Sequence, residues 1–581
     1  MTARQVAPRP ARGDAGGFLE SVLAVASASH ARACALLLAL CLVCFLPGLA
    51  SLQPMDRDEP RFAQASKQMR ETGDYVDIRF QGEARHKKPV GIYWAQAATV
   101  AAGEALGVPH ARTTIGLYRI PSLIGAVAAG LLAYWAALAF LPRRGALLAA
   151  ALFSSCLMLV AEAHLAKTDA LLCACTVASF GGLARAWLGR GRAPLDTATL
   201  IAFWLGMAIG ILVKGPMVPL FCGLAALVLS VRARSGGWLL ALRPGLGAAF
   251  TLLIVAPWFA AIAWKSGGAF YGEAVGHDML GKVGGGAEKH WAPPGTYLLV
   301  FFATFWPGAA FAALSVPFAW RQRGTDAVAF LLAWIVPAWA LFEAVPTKLP
   351  HYVLPLMPAV AILTILALQH GFFAGQEGKP GRPPVPPLRA RITVALVPLV
   401  PMALTLGLVG FAWSFDRVVP WAGLPLLLAA CALAVLAFVA FGRGAVERAM
   451  LLGIVAASLL APAVLGLTQP ALAALKVSPR LAAIRDGLPC AAPMVASLGY
   501  REPSLVFLIG TDLATPGTGA ETVAFLGAGG CRLAFVESRA APDFAAALAQ
   551  SGLNARPVGQ VSGFNINGGR RVDLSAYAVI P

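Results

Sequence analysis

Charge is scarce in this chain. Of its 581 residues only 13% are Asp, Glu, Lys or Arg, against 58% hydrophobic, and the mean hydropathy is +0.71. A soluble globule of that length needs far more polar surface, so that class is excluded and an integral membrane protein is expected. Acids are scarcer still, 28 against 46 Lys and Arg, for a net charge of +18. The basic residues lie in short loops between apolar runs, as cytoplasmic membrane flanks do, and form no nucleic-acid stripe; membrane lipids are the expected surroundings and nucleic acid is excluded. Cysteine is almost missing from polar sequence. Only Cys490 and Cys531 lie outside apolar segments, where a thiol packs as a small hydrophobe. The N-terminus lacks the apolar core of a signal peptide: Met1 to about Gly17 is basic and rich in Pro, Gly and Ala. Residues 1–29 are therefore expected to form a disordered cytoplasmic tail.

What is present is a series of membrane-length apolar runs, near 30–50, 113–140, 145–163, 168–188, 197–213, 215–231, 243–264, 294–318, 327–345, 349–371, 390–413, 419–441 and 448–468. The fold class is mainly α, a polytopic membrane protein with about 13 transmembrane helices over 30–468. One further run, 89–108, contains Gln96 and Glu104 and starts at Pro89. If it lies flat on the membrane, Arg143 and Arg144, Arg185 and Arg190, Arg232 and Arg234, Arg321 and Arg323, and Arg443 and Arg448 all share one face with the basic N-terminus. The positive-inside rule makes that face cytoplasmic. If the run spans, the rule is broken throughout, so 56–108 is expected to hold juxtamembrane helices.

That topology was set by the basic loops alone, yet it places Asp58, Glu59, Arg61, His86, Lys87, Lys88, His164, Lys167, Asp169, Lys214, Lys348, His351 and Tyr352 together on the opposite, periplasmic face. Charged groups at a membrane boundary are costly unless paired or solvated, so the set implies a wet cavity that performs chemistry. A lone Lys such as Lys214 reads instead as a snorkelling anchor. The Asp58-Glu59-Pro60-Arg61 cluster stands at the head of an interfacial helix, with Pro60 suited to the first turn. Its acids either cap that helix or meet a substrate head group.

After Leu467 the apolar runs stop, and 469–581 reads as a small periplasmic α/β domain, with strands at 493–498, 504–509, 532–536 and 576–580 and a helix at 541–551. Cys490 and Cys531 each precede one of these strands. If the two strands are parallel neighbours the sulfurs meet at one end of the sheet; otherwise they are two separate thiols.

Asp58-Glu59-Pro60-Arg61-Phe62-Ala63, Lys88-Pro89-Val90 with Tyr93-Trp94, Thr168-Asp169-Ala170, Lys214-Gly215 and the string Lys348 to Pro355 occur in that order between 30 and 470. The series resembles the C-type (GT-C) membrane glycosyltransferases related to protein O-mannosyltransferases, and most closely the bacterial lipid A 4-amino-4-deoxy-L-arabinose transferases. The resemblance implies a polyprenyl-phosphate-linked sugar as donor, an envelope lipid or protein as acceptor, and a periplasmic active site in the inner membrane. It implies Asp58 and Asp169 as the catalytic acids, with Glu59, Arg61, Lys88, Tyr93, Lys282, Lys348 and Tyr352 binding substrates. A leaving phosphate needs a cation, the part given to Lys88. Asp58 acts either as general base on an acceptor hydroxyl or, if the acceptor is a phosphate, as an electrostatic stabiliser. Lys87 stands where the family typically has an acid, which puts in doubt a metal site built there, and Lys282 where it tends to have Arg. His86, His277 and His290 lack ligand spacing, so no metal residue is assigned, although a divalent ion as cofactor stays open.

The stretch Lys265 to Pro293 carries eight glycines and is expected to be mobile, closing over bound donor with Lys282 near the phosphate. The alternative class, a lipid-linked sugar transporter or flippase, is disfavoured by the want of an inverted repeat and of mid-span charge.

Overall fold

The computed structural model of the protein describes residues 15–55, 58–190, 194–274, 276, 291–373, 386–490 and 492–579. The first eleven long helices are α1 (Ala15–Ser27), α2 (His30–Phe45), α3 (Glu59–Thr72), α4 (Gly91–Ala105), α5 (Ile115–Ala137), α6 (Arg143–Ser154), α7 (Leu157–Ala163), α8 (Asp169–Leu188), α9 (Thr197–Lys214), α10 (Met217–Ala233) and α11 (Pro244–Ser266). Among the described residues nine helices are long and apolar enough to cross a membrane, and α6 with α7, bent by 62° at Ser155-Cys156, makes a tenth candidate. The remaining apolar runs of the thirteen are helical but shorter or broken: α2, α10, and the pair Thr296–Thr304 and Ala309–Gln322. The chain is a multi-pass membrane protein. Residues 15–27, expected to be disordered, are the helix α1: Phe18, Leu19, Leu23 and Ala26 form an apolar stripe, and Leu23 and Ala26 are buried in the main core.

Helix α3 differs from the spans. Its buried residues include Gln64, Ser66, Lys67 and Gln68, so the middle of the helix is enclosed by protein and not by lipid. Each of these four side chains makes a hydrogen bond, as burial favours: Gln64 donates to Thr511 Oγ1 at 2.7 Å, Ser66 to Gln96 Oε1 at 2.7 Å, Lys67 to the Phe507 carbonyl at 3.1 Å and Gln68 to the Gln81 carbonyl at 3.0 Å. These partners lie on α4, on the two-residue hairpin β1 (Arg79–Phe80) and β2 (Glu83–Ala84), and on the C-terminal domain. Gly73, with φ 74°, ends α3 in the left-handed conformation that favours glycine.

The C-terminal domain is a four-stranded sheet in the order β3 (Met494–Leu498), β4 (Arg532–Glu537), β6 (Arg570–Val579), β5 (Arg556–Asn565); β3 and β4 are parallel and the rest antiparallel. The run 504–509, expected as a strand, is the helix Pro503–Ile509. Five continuous apolar residues, Leu505 to Ile509, carry no period that separates a buried strand from a buried helix. Pro503 in the first turn and the docking of Phe507 edge-on to Tyr118, ring centroids 5.2 Å apart, favour the helix. Because β3 and β4 run parallel in register, Met494 beside Arg532, the cysteines preceding them meet: Cys490 and Cys531 form a disulfide with Cα atoms 6.3 Å apart.

Candidate active site

The two acids at the head of α3 part company. Asp58 holds the N-cap position but its side chain does not cap the helix; it lines a cavity. Glu59 turns inward and is fully buried. Its carboxylate meets the Arg119 guanidinium in two bonds, Nε to Oε1 at 2.7 Å and Nη2 to Oε2 at 2.9 Å, and accepts the backbone N–H of Ala166 at 2.8 Å and Met55 at 2.6 Å. Arg119 gives its other N–H groups to the carbonyls of Leu49, Leu52 and Gln53. All five guanidinium donors are satisfied. This pair ties the segment after α2, the start of α5 and the loop before α8 to the head of α3, and so sets where Asp58 stands.

The cavity measures about 780 Å³. Its lining is mixed: apolar side chains such as Leu172, Ile211, Leu220, Phe259 and Phe342 share it with Asp58, Arg61, Arg85, Lys87, Lys88, Lys167, Asp169 and Lys214. Its charged residues come from the head of α3, the segment before α4, the N-terminus of α8, the end of α9 and the segment 345–352, and α11 and the helix Asp326–Ala344 add Phe259 and Phe342. Two local devices fix these positions. Gly91 opens α4 against α9, where a Cβ would lie 2.8 Å from the Leu212 carbonyl oxygen. Gly215, with φ 64° and ψ −138°, ends α9 directly after Lys214 in a conformation that favours glycine.

Within the charged lining, and extending to Glu162 outside it, runs a chain of buried charges. Lys214 pairs with Asp169, Lys167 Nζ stands 3.2 Å from Glu162 Oε1, and His351 sits between the acids, Nδ1 3.6 Å from Glu162 and Nε2 3.7 Å from Asp169. Lys214 Nζ also lies 5.3 Å from the Tyr352 ring centroid, a cation–π contact. Glu162, Asp169 and His351 offer three ligand atoms within 4.8 Å of one another. Each carboxylate is paired with a lysine through one oxygen, while Glu162 Oε2 is buried without a hydrogen-bond partner, so a divalent ion held by this trio would sit beside two ammonium groups. Outside the membrane helices, burial pushes the Lys67 ammonium below its ordinary value, with Glu71 opposing, while hydrogen bonds from Arg112 and Arg70 hold the Glu104 carboxyl low.

Of the residues singled out in the sequence, Asp58, Arg61, Lys88, Asp169 and Tyr352 line the cavity. Glu59 and Tyr93 are buried beside it, Tyr93 packing on Phe62 with centroids 5.3 Å apart. Lys348 is not a lining residue; its ammonium donates to the Val345 carbonyl at 2.7 Å, ahead of a 3-10 turn over Pro350–Leu356 and not on a shared α-helical face with Tyr352. Lys282 and most of the glycine-rich loop lie outside the described residues, as do His277 and His290, while His86 is paired with Asp77 at 2.7 Å. Lys214 is ion-paired in the cavity wall and not a lone anchor. Sequence reasoning passed over Arg85, Arg119 and Glu162. The last two had a signal, since a charged residue inside an apolar run is expensive unless it has work to do.

No family model matches the chain. It resembles curated undecaprenyl phosphate-alpha-4-amino-4-deoxy-L-arabinose arabinosyl transferases from Pseudomonas paraeruginosa strain DSM 24068 / PA7, 29% identical over 308 residues, and Erwinia tasmaniensis, 28% over 332. The matches cover 53% and 55% of this chain and 54% and 56% of the relatives. The chain thus spans about half the length of the curated relatives it matches. Among solved structures it resembles ArnT from Cupriavidus metallidurans bound to undecaprenyl phosphate, with a TM-score of 0.71 at 18% identity over 97% of this chain and 98% of that one. The chain has the GT-C fold. The apo state of the same ArnT aligns over the same shares with a TM-score of 0.67, so the likeness runs from the membrane helices through the C-terminal sheet of this GT-C protein.

Proposed function

We propose that the chain is a membrane glycosyltransferase that moves a sugar from a polyprenyl-phosphate donor to an envelope acceptor, lipid A or another glycolipid or protein. The observation that carries this reading is the mixed lining of the cavity: apolar side chains suited to a polyprenyl chain and cationic side chains suited to phosphate share it with Asp58. The named relatives are arabinosyl transferases, which favours a pentose as the sugar transferred.

Lys88, joined by Arg61 and Lys87, holds the donor phosphate and takes up the charge that develops as it leaves. Asp58 either accepts the proton of an acceptor hydroxyl or, for a phosphate acceptor, orients it and stabilises positive character at the sugar. Asp169 keeps Lys214 and His351 in the wall. The active site and the C-terminal domain face the periplasm in the inner membrane; the basic loops on the other side and a disulfide, which belongs to an oxidising compartment, support this orientation.

The test is transfer of labelled sugar from a polyprenyl-phosphate donor to envelope lipid extract by the purified protein. Lys88→Ala is expected to raise the apparent donor KM by tenfold or more, with Lys88→Arg retaining part of the activity. Unchanged donor titrations for both variants would remove Lys88 from the site.

A further inference from the structure

Arg85 lines the cavity and is only 9% exposed. Its Nε–H is buried without a hydrogen-bond partner, and among the described residues no carboxylate pairs with its guanidinium. The rest of the residue is firmly held. Its backbone N–H donates to the Ile78 carbonyl at 2.7 Å, and its guanidinium carbon lies 5.1 Å from the centroid of the Phe62 ring. A guanidinium cannot shed its proton to escape burial, so enclosing one without a counter-charge is costly. The contact with Phe62 offsets only part of that cost. A charge fixed in this way at a cavity marks a place where a ligand of opposite sign completes the pair.

The chemistry of that ligand follows from the fork and its neighbours. Nε and one Nη present parallel N–H groups that match two oxygens of a phosphate, a geometry an ammonium does not offer. Arg85 and Lys88 flank the turn His86-Lys87, and the two ends of such a turn lie within about 7 Å of each other. Both line the same cavity. Phe62, beneath the guanidinium, stands one helical turn after Asp58 at the head of α3. We infer that Arg85 is a further substrate-binding residue, whose fork grips two oxygens of the polyprenyl-phosphate group beside Lys88. The inference rests on the reading of the cavity as a polyprenyl-phosphate-sugar site.

The experiment measures the dissociation constants of the full-length protein for polyprenyl phosphate and for uncharged polyprenol, together with the melting temperature in detergent without ligand. Arg85→Ala and Arg85→Gln are expected to weaken polyprenyl phosphate by about tenfold or more and to leave polyprenol unchanged. Arg85→Lys is expected to recover little of the loss, because an ammonium lacks the fork. The melting temperature is expected to hold or rise in the Ala and Gln variants, since an unpaired buried charge is removed. A lower melting temperature in both, with both ligands weakened alike, makes Arg85 structural and overturns the inference. Unchanged polyprenyl-phosphate affinity in both variants also overturns it, and if Lys88→Ala still weakens that ligand the reading of the cavity stands. Wild-type protein that binds polyprenol as tightly as polyprenyl phosphate overturns that reading and the inference together.

Discussion

Asp58 and Glu59 are neighbours with the same chemistry and opposite situations. Asp58→Asn is nearly isosteric and leaves the helix backbone bonds of α3 untouched, because the carboxylate does not cap them. Sugar transfer is expected to fall at least 100-fold with an unchanged melting temperature in detergent; wild-type turnover would return Asp58 to a structural role. Glu59→Gln reverses the pattern. It leaves the Arg119 guanidinium, wholly buried, without its counter-charge. Breaking one side of a buried pair costs about 3–5 kcal/mol. The variant is expected to lose thermal stability and yield together with activity, so equal melting temperatures for Glu59→Gln and wild type would mean that the pair does not hold the head of α3. Neither contrast is visible in the sequence, where the two acids stand side by side and either could face the substrate.

At the scale of elements, α3 is held between α4 and the C-terminal domain. Glu104 on α4 binds Arg70 of α3 at 2.6 Å and Arg112 beyond it. These hydrogen bonds depress its folded-state pKa below the ordinary 4.5, so the stability they add is fully present above about pH 4.5 and is lost as pH falls through the folded value. The melting temperature between pH 6 and pH 3 is therefore expected to drop more steeply in wild type than in Glu104→Gln; parallel curves would dismiss the contact. On the other side, the Cys490–Cys531 bridge closes a sequence separation of 41 residues. Removing it with Cys490→Ser is expected to cost the C-terminal domain about 2–4 kcal/mol, read as earlier proteolysis of that domain. Since Thr511 and Phe507 of the same domain bond to α3, donor binding should weaken in parallel; unaltered proteolysis would show the bridge to be dispensable.

Across the whole molecule the site draws on segments from Asp58 to Tyr352, and its shape depends on how the helices between them pack. Gly91 tests this without altering any charge. Gly91→Ala sets a Cβ 2.8 Å from the Leu212 carbonyl oxygen, which forces α4 from α9 at a cost of about 1–3 kcal/mol. Transfer is expected to fall severalfold through a raised donor KM, because Lys88 and Lys214 flank the contact; a variant with wild-type KM would show that α4 and α9 can part without disturbing the wall.

By itself the sequence determined that the chain is polytopic and which family its motifs resemble, and it predicts that the basic loops share one face and a charged set the other. These follow from one-dimensional quantities: apolar run length against bilayer thickness, the placement of Lys and Arg, and motif order. It also placed the two cysteines at the starts of strands that proved to be parallel neighbours. Only the tertiary structure decided which of those charges meet. Glu59 and Arg119 lie 60 residues apart in sequence, and Lys214 and Asp169 lie 45 apart. The pairing that turns Glu59 into a buried tie, Lys214 into part of the cavity wall and 504–509 into a docking helix depends on contacts between distant segments. No local period or spacing encodes those contacts, because they are chosen by how the buried charges of the assembled helices can be satisfied together.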